Sequence, residues 1–351
     1  MDVQSGASLI LGVFLFSFLI NSVLVVPFIN LLYKFKFLRR KEAPISGRIP
    51  LFDKLHDKKA GTPVGGGILL VSTTTVLFFM LIYIAKHMGI PIRSSFRVNN
   101  EIFIIFFTFL GYALLGLSDD IVKMFGKPKK GTLGLWFGLT RKQKFLIQIL
   151  LGLFIGVYLY KVLGIAILHV PIFDFTLNLG WLYVPFSALV VVSFTNAFNI
   201  TDGLDGLSSG LLFICILAFG SIATASLDMP LSIFITLWAG SLLAFLYFNI
   251  WPARIWLGDA GALSFGATLA IIGLITGNII ALVFIGGIFV LEVTSSALQI
   301  FGWKYLKKPI LPLAPLHNTY LAMGWEEPKI VTRAWLAGIV LAIFGLWLAT
   351  I

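Results

Sequence analysis

Residues 101–120 read EIFIIFFTFLGYALLGLSDD, an almost unbroken apolar run that ends in two adjacent aspartates. Roughly 20 apolar residues cross the hydrocarbon of a bilayer as a helix, which satisfies its own backbone hydrogen bonds there. The stretch therefore predicts a transmembrane helix with two carboxylates at one end. Nine other stretches share this apolar character. The ten predicted spans cover residues 7–33, 66–86, 101–118, 143–165, 180–198, 207–226, 230–249, 261–277, 279–302 and 333–351.

The composition of the whole chain agrees with this class. Its 351 residues are 59% hydrophobic and 12% charged, and the mean hydropathy is +1.00. A water-soluble protein with one buried core does not reach these values. The first span is too long for a signal-peptide core, so we read it as a retained helix. We predict an all-α polytopic membrane protein in which residues 1–351 form a single integral-membrane domain.

The Lys and Arg residues are distributed unequally between the two sides of these spans. If the chain crosses the membrane once at each span, 22 of the 26 basic residues lie on one side. The other side holds Lys86, Arg93, Arg97 and Lys161. Cytoplasmic loops carry the excess of positive charge, so the richer side is predicted to be cytoplasmic and both termini extracytoplasmic. The net charge of +11 also suits contact with anionic membrane lipid. No basic helix or aromatic-rich module indicates nucleic-acid binding.

Five aspartates lie in short polar breaks beside the apolar spans on the predicted cytoplasmic side: Asp119, Asp120, Asp202, Asp205 and Asp259. They predict an active site on the cytoplasmic face, where carboxylates hold a divalent cation against phosphates. Asp119 and Asp120 suit an acid, a base or a metal ligand, since adjacent carboxylates repel each other. The alternative, that the pair only marks the end of the third helix, is less favoured because carboxylates are unfavourable at a helix C-terminus.

The strongest local signal is NAFNITDGLDGL, residues 196–207, at the predicted end of the fifth span. It supplies the amides of Asn196 and Asn199 and the carboxylates of Asp202 and Asp205. Its glycines permit a tight turn around a ligand. The segment has too few oxygen ligands, and too short a loop, for an EF-hand calcium site. A nucleotide or metal-phosphate pocket is the better prediction.

Two further segments can be interpreted in two ways. Trp256 lies three residues before Asp259, so its indole is placed either to stack on a flat base or to sit in the membrane-interface belt. The segment HDKKAGTPVGGG, residues 56–67, combines basic side chains, among them Lys59, with glycines at a helix entry. That combination suits an anion site. For the segment alone, however, the favoured interpretation is that its glycines and proline only mark the start of a helix.

The last two polar candidates lie near the C-terminal end. His317 and Asn318 add hydrogen-bonding groups of low specificity to the last cytoplasmic loop. Glu292 falls inside the ninth predicted span, where a charge is costly. We therefore expect it to face the helix bundle beside a polar partner, mainly in a structural role.

Together, these motifs resemble the phospho-N-acetylmuramoyl-pentapeptide transferases, within the polyprenyl-phosphate N-acetylhexosamine-1-phosphate transferase superfamily. The resemblance covers nearly the whole chain and is specific in order and spacing. The matching pieces are His56 with Lys59-Ala60-Gly61-Thr62-Pro63, Asp119-Asp120, Gly138-Leu139 with Lys144 and Gln148, Asn196 to Leu207, Pro252-Ala253 with Gly258-Asp259, and Gly324-Trp325 with Pro328.

The resemblance implies a ten-helix enzyme of the bacterial cytoplasmic membrane, usually a homodimer. Such enzymes use Mg²⁺ to transfer phospho-N-acetylmuramoyl-pentapeptide from UDP-MurNAc-pentapeptide to undecaprenyl phosphate, giving lipid I and UMP. It implies Asp259 as the Mg²⁺ ligand and Asp119 and Asp120 as the catalytic pair. The residues implied on the substrate side are Lys59, which is also expected to aid catalysis, Thr62, Lys123, Lys144, Asn196, Asn199, Asp202, Asp205, Trp256, His317 and Asn318.

One departure from the family pattern keeps a second donor open. Three consecutive histidines are usual after Ala314-Pro315-Leu316, whereas this chain has His317-Asn318-Thr319, and Ala262 stands where a serine is usual. The alternative is a sister transferase that moves N-acetylglucosamine-1-phosphate, or a related sugar phosphate, to the same lipid. A membrane transporter or lipid-binding protein is a remote alternative, because no inverted repeat of the motifs is visible.

Overall fold

The computed structural model describes residues 3–39, 59–125, 140–173 and 175–351, which are mainly helical. The helices are α1 (Val3–Lys34), α2 (Gly66–His87), α3 (Val98–Phe125), α4 (Arg141–Lys161), α5 (Tyr183–Thr201), α6 (Leu207–Ala225), α7 (Met229–Asn249), α8 (Gly258–Ile275), α9 (Ile279–Ile285), α10 (Gly287–Phe301), α11 (Leu316–Ala322) and α12 (Glu327–Thr350). Between α4 and α5, the strands β1 (Ile167–Val170) and β2 (Phe175–Asn178) pair as an antiparallel hairpin, which the sequence did not predict.

The number of spans agrees with the prediction. Among the described residues, nine helices are long and apolar enough to cross a membrane, and a tenth span results if α9 and α10 count as one. The predicted span 279–302 is nevertheless wrong as a single straight helix, because α9 and α10 meet at a bend of 79°. The break falls at Gly286-Gly287, where the helix-weakening effect of glycine is doubled.

Several helix boundaries near the polar motifs also need correction. The third helix was predicted to end at Asp119-Asp120, but α3 continues to Phe125, so both carboxylates lie inside the helix. Likewise α5 continues to Thr201, and α8 begins at Gly258 instead of residue 261. The residues added to α8, Gly258, Asp259 and Ala260, are all buried, so packing against neighbouring helices extends this helix beyond the apolar run that predicted it.

Helix α8 lies at the centre of the bundle, since every one of its residues is buried. It packs against α3 and α5, and its first turn reaches α2. Glycine makes the approach of α3 possible, because a Cβ at Gly116 would lie 2.0 Å from the carbonyl oxygen of Asp259. A Cβ at Gly67 of α2 would lie 2.3 Å from the Cα of Gly261. Small residues thus let three helix backbones meet around the start of α8.

Candidate active site

Asp120 binds the first turn of α8. Its two carboxylate oxygens accept hydrogen bonds from the backbone N–H groups of Asp259, at 2.9 Å, and Ala260, at 2.8 Å. The first N–H groups of a helix have no partner inside the helix, so a buried carboxylate from α3 here acts as the cap of another helix. The side chain is 1% exposed. Asp120 therefore fixes the position of Asp259, and both of its oxygens are already engaged.

Asp259 is surrounded by positive and amide groups from three other segments. Its Oδ2 atom lies 2.7 Å from Lys123 Nζ and 3.0 Å from Lys144 Nζ, and its Oδ1 atom lies 3.4 Å from Asn199 Nδ2. Lys144 also donates a hydrogen bond to Asp119. The residues predicted from separate motifs of α3, α4, α5 and α8 thus form one cluster, which we call the aspartate–lysine cluster: Asp119, Asp120, Lys123, Lys144, Asn199 and Asp259.

The aspartate–lysine cluster fits a magnesium site that is completed by substrate. No group of three or more His, Cys, Asp or Glu side chains in the described part of the chain is arranged to hold a metal ion. Mg²⁺ does not need such a cage, because it binds one or two carboxylates and takes its other ligands from water and phosphates. Two ammonium groups converge on Oδ2 of Asp259. This buried carboxylate thus already attracts positive charge, and its oxygens are donors of the kind that Mg²⁺ prefers.

Asp202 and Asn196 lie in the neighbouring segment. The Ser208 hydroxyl donates a hydrogen bond to Asp202, and burial, together with the charge of Asp259, raises the pKa of the Asp202 carboxyl to about 6. Asn196 Nδ2 donates to Gln148 Oε1 at 2.8 Å, which links α5 to α4. The first half of the predicted pocket segment 196–207 belongs to α5. The side chains of Asn196, Asn199 and Asp202 are held by partners on α4, α8 and α6, respectively.

A second polar cluster forms around Lys59. The Nζ atom of Lys59 lies 2.9 Å from Asp205 Oδ1 and also contacts Glu327, the first residue of α12. The same ammonium group lies 4.9 Å from the centroid of the Trp256 ring, as does the Arg39 guanidinium. Trp256 is 6% exposed, so in this structure cations cover the ring that was predicted to stack on a base. Stacking on a nucleotide remains a prediction.

The anion-site interpretation of the glycine segment is not supported. The N–H groups of Gly65 and Gly66 donate to the Trp256 carbonyl, and that of Gly67 donates to the Leu257 carbonyl. Gly65 has a φ of 119°, which a residue with a side chain rarely adopts. The glycines thus lie at the start of α2, as the favoured interpretation expected, and link it to the start of α8. Thr62 takes part in backbone pairing, since its carbonyl accepts from Arg39 at 3.0 Å.

His317 and Asn318 are both buried in the short helix α11. The Nδ1 atom of His317 lies 3.0 Å from Glu292 Oε2, and its backbone N–H donates to the same carboxylate. The predicted polar partner of Glu292 is therefore His317. Asn318 is 1% exposed, and its N–H donates to the Pro315 carbonyl at 3.0 Å. The pair of His317 and Glu292 ties α11 to α10.

Glu327 also belongs to this second cluster around Lys59, and the sequence motifs did not predict it. Its signal was present, because it stands between Gly324-Trp325 and Pro328, which match the family pattern. What could not be seen is that it meets Lys59, 268 residues earlier in the chain. Three matching residues, His56, Gly138 and Leu139, lie outside the described residues.

Comparison with known proteins identifies the family of the chain. The model of glycosyl transferase family 4 matches residues 102–277, which include the whole aspartate–lysine cluster. The phospho-N-acetylmuramoyl-pentapeptide-transferase of Bacillus pumilus (strain SAFR-032) is 35% identical over 342 residues, 97% of each chain. The chain belongs to the phospho-N-acetylmuramoyl-pentapeptide-transferase family. Members from Bacillus subtilis (strain 168) and Clostridium perfringens (strain 13 / Type A) are also 35% identical, over 95% of this chain and 95% of the relative, and over 90% and 91%, respectively.

Proposed function

We propose that this protein transfers phospho-N-acetylmuramoyl-pentapeptide from UDP-MurNAc-pentapeptide to undecaprenyl phosphate, giving lipid I and UMP. The observation that carries the proposal is the convergence of Asp119, Asp120 and Asp259 with two lysines, in a membrane helix bundle of this transferase family. Carboxylates and ammonium groups at one point suit a reaction at negatively charged phosphates.

We place the site on the cytoplasmic face of the bacterial cytoplasmic membrane. The helix ends that build it, such as the C-terminal end of α3 and the N-terminal ends of α4 and α8, are flanked by the basic segments. The excess of Lys and Arg on that side supports the assignment. A nucleotide-linked donor is soluble in water, and a polyprenyl phosphate lies in the bilayer. A site at the boundary between the two is therefore accessible to both.

Asp259 is the residue that would hold Mg²⁺, with Asn199 beside it. When bound there, the ion would neutralise charge on the diphosphate of the donor. Lys123 and Lys144 remain within reach of the same phosphates because both contact Asp259 directly. Asp120 acts on Asp259 indirectly, through its hydrogen bonds to the backbone of α8. We therefore assign it a positioning role instead of the reactive role implied by the resemblance.

In the proposed reaction, a phosphate oxygen of undecaprenyl phosphate attacks the sugar-linked phosphorus. The bond from that phosphorus to the UMP oxygen breaks, and UMP leaves with the electron pair. Asp119 is the remaining carboxylate of the pair and is the proposed base for any proton left on the attacking phosphate. A phosphate monoester has a second pKa near 6, so most of the acceptor is already dianionic at neutral pH. Positioning and electrostatics therefore contribute most of the acceleration.

A second donor is favoured by one observation, the sequence His317-Asn318-Thr319 where family members usually carry three histidines. Under this alternative the protein moves N-acetylglucosamine-1-phosphate or a related sugar phosphate to the same acceptor.

The resemblance further implies a homodimer, which sedimentation of the detergent-solubilised protein would test directly.

The deciding experiment incubates purified protein with undecaprenyl phosphate, Mg²⁺ and each UDP-sugar in turn, and measures UMP and the lipid product. We expect both products from UDP-MurNAc-pentapeptide in equal amounts, and neither without Mg²⁺. Release of UMP only from UDP-N-acetylglucosamine would favour the sister transferase. The absence of Mg²⁺-dependent UMP with every donor would reject the transferase assignment.

A further inference from the structure

Glu327 lies where three distant segments of the chain meet. Its carboxylate accepts a hydrogen bond from Lys59 and a second, at 2.6 Å, from the backbone N–H of Asp205. Asp205 in turn accepts from the backbone N–H of Ala253 at 2.9 Å. The first residue of α12 thus joins the segment before α2, the loop between α5 and α6, and the loop before α8.

The positive charge of Lys59 is offset by its neighbours. Lys59 lies within ion-pair distance of two carboxylates, Asp205 and Glu327, and its side chain is only 11% exposed. An ammonium group between two carboxylates contributes little net positive potential to a phosphate farther away. The contacts of Lys59 described above do not include any member of the aspartate–lysine cluster. Its position therefore favours a structural role in the donor pocket over direct neutralisation of the diphosphate.

A helix N-terminus commonly carries an acidic residue, which needs no partner beyond the helix itself. Glu327 differs because its carboxylate is directed away from α12 to Lys59 and to the loop at Asp205. A second contact supports the same junction, since Trp335 Nε1 of α12 donates to the Gly206 carbonyl at 3.1 Å. Helix α12 therefore holds the loop at two points, and one of them is charged.

We propose that Glu327 is a positioning residue for donor binding, which acts through Lys59 by fixing its ammonium group against Trp256 and against Asp205 of the loop 202–206. The inference rests on the proposed transferase function and deepens it, because it assigns to α12 a role in binding the nucleotide-linked substrate. Glu327 and Lys59 then work as one unit, and the aspartate–lysine cluster carries the magnesium-dependent step separately.

The test compares Glu327→Gln with Glu326→Gln in steady-state kinetics of UMP release. Glu326 is the exposed neighbour, so the two variants lose the same charge one residue apart. We expect Glu327→Gln to raise KM for UDP-MurNAc-pentapeptide about tenfold or more, because a buried lysine loses a charged partner. The kcat and the Mg²⁺ concentration for half-maximal rate are expected to stay close to those of the wild type, and Glu326→Gln to change none of these values.

A double-mutant cycle with Lys59→Met tests the coupling. If Glu327 acts through Lys59, the double variant should bind the donor no worse than Lys59→Met alone. The inference is overturned if the two effects multiply, if Glu327→Gln matches Glu326→Gln, or if only kcat falls.

Should Glu327→Gln not yield folded protein, Glu327→Asp keeps the charge and shortens the side chain, and it must show the same selective rise in KM. Absence of UMP release by the wild type would reject the proposed function, and a wild type that is active beside an unaffected Glu327→Gln would reject this inference alone.

Discussion

At the scale of single residues, the five aspartates divide according to what their carboxylates touch. Asp259 contacts two ammonium groups and an amide, Asp119 contacts Lys144, and Asp120 binds only the backbone of α8. Asp205 belongs to the separate cluster around Lys59. The sequence showed that these residues are polar groups near a membrane surface. It could not divide them, because the division depends on helices that lie more than a hundred residues apart in the chain.

The capping role of Asp120 predicts a loss of stability. Asp120→Ala removes both acceptors from the buried N–H groups of Asp259 and Ala260, and we expect it to lower the free energy of unfolding by about 2 kcal/mol or more. Ser118→Ala is the control, because the Ser118 hydroxyl donates only to Leu115 of its own helix. Thermal unfolding of both variants in detergent measures the difference. Equal melting temperatures for the two would refute the capping role.

The reactive role of Asp119 predicts a loss of turnover. If Asp119 is a general base, Asp119→Asn should reduce kcat by about tenfold or more below pH 6, where the acceptor phosphate keeps its second proton, and by less at pH 8. A covalent intermediate on Asp119 predicts a loss of about a hundredfold or more at both pH values and a trapped phospho-enzyme in the wild type. Near-normal turnover of Asp119→Asn at both pH values, with no phospho-enzyme in the wild type, would exclude both roles.

At the scale of elements, the packing of α3 on α8 places the carboxylates. The sequence predicted α3 and α8 as spans, but it predicted neither their close contact nor the last turn of α3. The reason is that Gly116 gives no local signal for an approach to a helix about 140 positions later. The bend between α9 and α10 escaped prediction for a related reason, since an apolar run with two glycines is compatible with a straight helix or with a broken one.

A matched pair of substitutions in α3 tests this contact. A Cβ at Gly116 would overlap the Asp259 carbonyl, whereas a Cβ at Gly111 meets no described atom within 4 Å. We expect Gly116→Ala to displace the start of α8 and abolish most of the UMP release. Gly111→Ala should retain activity and gain about 0.5 kcal/mol or more in stability, because alanine favours the helix. Comparable activity of the two variants would contradict the proposed packing.

At the scale of the whole molecule, composition and the apolar repeat were sufficient to predict about ten spans. The order of motifs along the chain was sufficient to recognise the family. The junction of α12 with Lys59 was beyond prediction, because it links the two ends of the chain. The hairpin of β1 and β2 was missed because it is only two four-residue strands between spans.

The predicted orientation of the protein in the membrane determines which introduced cysteines a reagent outside the cell can reach. Cys215 is buried and is the only cysteine, so Cys215→Ser provides a background without thiols. In that background we expect Ile172→Cys, in the exposed hairpin loop, to react with a membrane-impermeant maleimide added to whole cells. Lys142→Cys, at the exposed start of α4, should react only after the membrane is opened. The reverse pattern would place the active site on the outer face.

We expect transfer to the lipid acceptor to depend on a Mg²⁺ ion bound by Asp259. The most direct measurement compares wild type with Asp259→Asn, following UMP release from UDP-MurNAc-pentapeptide across a range of Mg²⁺ concentrations, with metal binding measured by calorimetry. We expect the variant to lose at least about a hundredfold in turnover and no longer to bind Mg²⁺ in the wild-type range. A variant that binds Mg²⁺ and responds to its concentration as the wild type does would contradict this role of Asp259.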